Sequence, residues 1–121
     1  MQGSTCLDNT ELSIRVEREL RRLRIPGTMK GLYYLSHAVS QCVSDPKRIQ
    51  YITKDLYPET ADLYGTEPRW VERVMRTAIR HSWANGGKET LLQMAGYHLE
   101  KCPSNAEFID IVAFYIRSTS V

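Results

Sequence analysis

Between Ala61 and Thr77 the chain places a small residue, a glycine and two valines at a spacing that few helical arrangements can use. In the run Tyr57-Pro-Glu-Thr-Ala-Asp-Leu-Tyr-Gly-Thr-Glu-Pro-Arg-Trp-Val-Glu-Arg-Val-Met-Arg76, Ala61 falls where the two helices of a helix-turn-helix cross most closely. Gly65, four residues later, falls where the turn needs a positive φ. Val71 and Val74 then fall where the second helix must pack on the first. The spacing predicts helices over about Tyr57 to Tyr64 and Glu67 to Asn85. Thr66 is expected to cap the second helix, and Pro68 in its first turn costs no hydrogen bond.

The packing positions fix which side of the second helix faces outward. At 100° per residue, Arg69, Arg73, Arg76 and Arg80 form one stripe opposite Val71, Val74, Ala78 and Ser82, with Glu72 flanking its start. Helices that read the major groove need this arrangement. Arginine forks match the two acceptors of guanine, a carboxylate accepts from cytosine N4, and further arginines hold phosphates. The competing reading is a solvated face with some arginines paired to Glu72. Turn pattern and stripe fall in register, which favours groove recognition.

The remaining periodicity is helical throughout. Leu12, Val16, Leu20 and Leu23 predict a helix from Thr10, after a flexible lead-in over 1–9. The arginines on its other sides, from Arg15 to Arg24, alternate with Glu11, Glu17 and Glu19 and read as a solvated face. Ile25-Pro26-Gly27 breaks that helix. Leu32, Leu35, Val39 and Val43 form the inward stripe of a second one, from about Thr28 to Ser44. Asp45-Pro46 is an N-cap followed by proline, opening a short helix through Ile49 and Ile52. Asn85-Gly86-Gly87 ends the long helix. A short helix over Glu89 to Ala95 and an irregular stretch from Gly96 to Pro103 follow. Ser104 with Glu107 forms a capping box opening a last helix that carries Phe108, Ile111, Val112 and Tyr115. No segment alternates with period two. The expected fold is all-α, a single domain over 1–121 of about six to seven helices containing the helix-turn-helix.

Composition excludes several alternatives. The 121 residues suffice for one core but not for two. No apolar run approaches the roughly 18 residues of a membrane span, and the N-terminus lacks the pattern of a secretory signal, so a cytoplasmic location is expected. Cys6, Cys42 and Cys102 are odd in number and far apart, which argues against a disulfide framework. His98 and Cys102 are four apart, but nothing nearby supplies further metal ligands, so neither metal nor cofactor is expected. No nucleophile-base order, paired-carboxylate motif or glycine-rich phosphate loop is present, and no catalytic residue is assigned. The net charge of +2 makes the overall field weak, so the local distribution of charge must carry any attraction to nucleic acid.

Several separated blocks then carry a resemblance. They are Ile25-Pro-Gly-Thr-Met-Lys-Gly-Leu-Tyr-Tyr-Leu35, Ile52-Thr-Lys-Asp-Leu-Tyr-Pro58, Val71-Glu-Arg-Val-Met-Arg76, Trp83-Ala-Asn-Gly86, Gly96-Tyr97 and Pro103-Ser-Asn-Ala-Glu-Phe-Ile109. In this order, from about Ile25 to Ser118, the chain resembles the effector domain of the master response regulator of sporulation in endospore-forming bacteria. The resemblance implies an all-helical bundle that binds operator boxes on double-stranded DNA as tandem domains and touches an RNA polymerase sigma factor. It implies recognition-helix roles for Glu72, Arg73 and Arg76, and a phosphate contact for Lys30. It also implies a polymerase-facing surface over Gly86 to Ala95. Trp70 stands where the family has an arginine; it is expected to pack beside Tyr64, the alternative being contact with a thymine methyl. The chain is expected to lack the family's receiver domain. A tandem homodimer would then form on DNA. An interaction or competitor module of the same fold, with weakened operator binding, is the alternative.

Overall fold

The computed structural model describes residues 9–119, and among these every regular element is helical. The expected lead-in lies outside the described residues, apart from Asn9, which opens the first helix. Helix α1 (Asn9–Arg22) buries Leu12, Val16, Leu20 and, just past its end, Leu23. It stops where Arg24 takes a left-handed φ of 69° and the Ile25 N–H reaches back to the Leu20 carbonyl. Helix α2 (Lys30–Ser44) is the centre of the bundle and touches α1, α4 and α6. Its Leu32, Leu35 and Val39 are buried, with Val43 partly covered.

The stretch after α2 departs from expectation. Asp45 does cap it, accepting the Lys47 N–H at 3.3 Å. A 3-10 segment, Pro46–Tyr51, and a π turn, Ile52–Leu56, follow in place of one short α-helix. The physical reason is Pro58. Its missing N–H and bulky ring disfavour an α turn over Lys54, and the turn widens so that the Tyr57 N–H bonds the Ile52 carbonyl, five residues back.

Helix α3 (Tyr57–Tyr64) ends on Gly65, whose φ of 66° and ψ of 41° are left-handed as the spacing requires. The N–H groups of Gly65 and Thr66 both return to the Ala61 carbonyl. Helix α4 (Pro68–Ala84) is the longest of the described helices. Thr66 is not its cap. The residue before a proline is driven to extended backbone, so Glu67, at φ −107° and ψ 149°, takes the N-cap position and makes no side-chain cap bond. Thr66 belongs instead to the stop of α3.

Helices α5 (Lys88–Ala95) and α6 (Asn105–Thr119) close the bundle. The Ser104 hydroxyl accepts the Glu107 N–H at 3.1 Å, one half of the expected capping box, while the Glu107 carboxylate accepts from the Tyr97 hydroxyl. Phe108, Ile109, Val112 and Ile116 of α6 lie fully inside against α2.

Candidate nucleic-acid interface

Helix α4 buries Val71, Met75, Ala78, Ile79 and Ser82. The spacing predicts Val71, Val74, Ala78 and Ser82; Val74 is only partly covered, and Met75 and Ile79 widen the buried face. At 100° per residue the centre of that face lies opposite Arg73. Arg69, Arg73 and Arg80 are exposed, and Arg76, nearer the edge of the buried face, is partly covered.

Two contacts hold this helix at a fixed depth. On one flank α2 crosses it at Gly31. A Cβ at that glycine would fall 2.5 Å from the Ala78 Cβ and 3.1 Å from the Val74 carbonyl oxygen, so only a bare backbone lets the helices approach this closely. Lys30, the first residue of α2 and next to this crossing in the chain, is exposed. On the other flank the buried Asn105 amide donates from Nδ2 to the main-chain carbonyl of Glu72 and to the Tyr57 hydroxyl, both at 3.0 Å. Neither Gly31 nor Asn105 was singled out from sequence. Long-range approach leaves no periodic signal, although a glycine inside an apolar helix start is the kind of residue such a crossing needs.

The charges are mostly free for a ligand. Among the described residues no carboxylate lies within ion-pair distance of Lys30, Arg73 or Arg80. Arg69 lies 3.9 Å from Glu67, with both side chains more than three-quarters exposed, a pairing that solvent screens. Arg76 donates to Glu72 one turn earlier, so this carboxylate orients Arg76 along the stripe.

Thr66, Glu67, Arg69, Trp70 and Arg73 line one open hollow at the start of α4. Trp70 does not pack beside Tyr64 as expected. The Tyr64 ring lies against Tyr34, centroids 5.0 Å apart, and partial desolvation raises its phenol above the ordinary range although the side chain is still 43% exposed. Trp70 is 44% exposed, in the hollow it shares with Arg69 and Arg73. Toward the other end, Arg76 and Arg80 face a hollow shared with Lys101 and the start of α6. Lys101 sits in an irregular loop and carries no sequence signal. The stripe thus borders two hollows, one at the start of α4 and one shared with Lys101.

Among the described residues no three His, Cys, Asp or Glu side chains cluster as metal ligands, and no helix is long and apolar enough to cross a membrane. Cys42 is buried, and that burial pushes its thiol up to about 11. The family model described as "Sporulation initiation factor Spo0A C terminal" matches residues 16–116, and the chain belongs to that family.

Proposed function

We propose that this domain binds double-stranded DNA sequence-specifically, with α4 in the major groove, and regulates transcription. Arg73 takes the base-reading role on guanine, with Glu72 beside it accepting from cytosine N4. Arg69, Arg76, Arg80 and Lys30 hold phosphates. Thr66 and Trp70 border the groove at the N-terminal end of α4, where the exposed indole meets a thymine methyl. The observation that carries this reading is the arginine stripe. It lies outward on a helix whose opposite face is locked by the Gly31 crossing and the Gly65 turn, and its central arginine has no carboxylate partner among the described residues. Family membership supports the same conclusion.

The setting is a cytoplasmic regulator. Two copies sit side by side on adjacent boxes, and the α4–α5 turn with α5, Gly86 to Ala95, faces a sigma factor of RNA polymerase. Selection of bound sequences from random duplex DNA, followed by titration at several salt concentrations, tests the core of this reading. A common box should emerge, and log affinity should fall linearly with log salt. Trp70 favours a second reading, an interaction or competitor module, because an exposed indole suits a protein contact as well as a groove edge. That reading predicts no enriched box and only weak, sequence-independent binding.

A further inference from the structure

A second cationic hollow lies where the α1–α2 turn meets the far end of α4. It is lined by Arg21, Arg24, Ile25, Pro26, His81 and Asn85, and no acidic residue borders it. From sequence these arginines read as part of a solvated face, and the fold separates them from their neighbours. Arg15 and Arg22 are tied to the buried Glu19. Arg21 keeps only a 3.6 Å approach to Glu17 and is half exposed. Arg24 is exposed, and no carboxylate lies within ion-pair distance of it among the described residues.

Two local features point the same way. Arg24 is the one non-glycine among the described residues with a positive φ, 69°; at the corresponding stops of α3 and α5 the chain uses Gly65 and Gly96. A side chain with a Cβ is unfavourable there, so an arginine is held against the backbone's preference. Arg21 is accommodated by Gly27, where a Cβ would fall 2.6 Å from the guanidinium Nη2. Arg21, in the last turn of α1, and Arg24, just past it, are thus both set by the backbone around them.

We propose that Arg21 and Arg24 form a second phosphate clamp, gripping the phosphodiester backbone at the border of the groove that α4 occupies. The inference rests on the major-groove reading above. At about 1.5 Å of rise per residue, the eight residues from Arg73 to His81 cover roughly 12 Å, about the width of the major groove. With Arg73 on base edges, the His81 end of α4 reaches the groove border, where the flanking phosphates run. Guanidinium forks without a competing carboxylate match phosphate oxygens directly.

The test compares Arg24→Gly, Arg21→Gln and the double variant with Lys47→Gln, an exposed cation beyond the other end of α2. All are titrated on the selected duplex across salt concentrations, with denaturation midpoints measured in parallel. Arg24→Gly removes the cation while relieving the backbone, so its midpoint should hold or rise. Its affinity should fall several-fold for every sequence alike, with the salt slope smaller by about 0.9. The double variant should lose about twice that slope, and Lys47→Gln none. Wild-type slopes in Arg24→Gly and Arg21→Gln, alongside losses in Lys30→Ala and Arg73→Ala, overturn the clamp and leave α4 in its groove. An equal loss in Lys47→Gln overturns it in favour of net charge alone. If none of these changes alters binding, the groove reading fails, and the clamp with it.

Discussion

Asn105 donates from its side-chain amide to the main-chain carbonyl of Glu72 at 3.0 Å, tying the start of α6 to the second turn of α4. The same nitrogen serves the hydroxyl of the buried Tyr57, whose phenol is raised chiefly by that burial. Replacing Asn105 with alanine strands that hydroxyl without its donor. The expected cost is about 1–3 kcal/mol in denaturant unfolding. Asn105→Asp keeps the shape but sets a carboxylate against the Glu72 carbonyl, and should cost more.

Gly65 and Gly31 are predicted to fail differently when changed to alanine. At Gly65 no atom lies within 4 Å of an added Cβ, so the cost is only that of a left-handed backbone, about 1 kcal/mol. At Gly31 the added carbon meets Ala78, and overpacking of about 1–3 kcal/mol should exceed any gain in helix propensity. Gly31→Ala also pushes α4 outward, so its DNA affinity should drop by more than its stability explains. Unfolding curves and titrations on one duplex check both.

The Arg48 guanidinium, donating to Glu59, holds that carboxyl below its ordinary value of 4.5. An unfolded chain takes up the proton at higher pH than the fold does. The contribution of Glu59 is therefore complete above about pH 4.5 and is lost as pH falls through the lowered folded value. Urea midpoints of wild type and Glu59→Gln should differ at pH 7 and converge in acid. A gap that persists at low pH would contradict this.

The helices were legible because caps, breakers and period-3.6 stripes coincide in this sequence. Gly65, Asp45-Pro46 and Ser104 each stop or start an element where their chemistry says they should. What was misread involved competition between neighbours. Pro68 displaced the cap from Thr66 to Glu67, and Pro58 widened the turn before α3. The arginine stripe was legible because it lies on one helix. Lys101, the Asn105 anchor and the Arg21–Arg24 hollow join distant parts of the chain, and no spacing along one element announces them.

Assembly should depend on DNA. A single short reading surface offers few base contacts, and two adjacent boxes would make the second binding event local, raising avidity by roughly 10²–10⁴. The contact surface would be α6, where Phe114 is 57% exposed. Light scattering should find a monomer or weak dimer without DNA. Titration of one-box and two-box duplexes should show cooperativity only on the second. Equal affinity per box on both would remove the tandem arrangement.

On the proposed function, Arg73 reads a base from the outward face of α4. The direct measurement is the affinity of wild type and Arg73→Ala for the selected duplex and for each of its single base-pair variants. Wild type should lose about 1–3 kcal/mol at one guanine position that Arg73→Ala no longer distinguishes, while both discriminate alike elsewhere. Identical base preferences in the two proteins would show that another face of the domain reads the DNA.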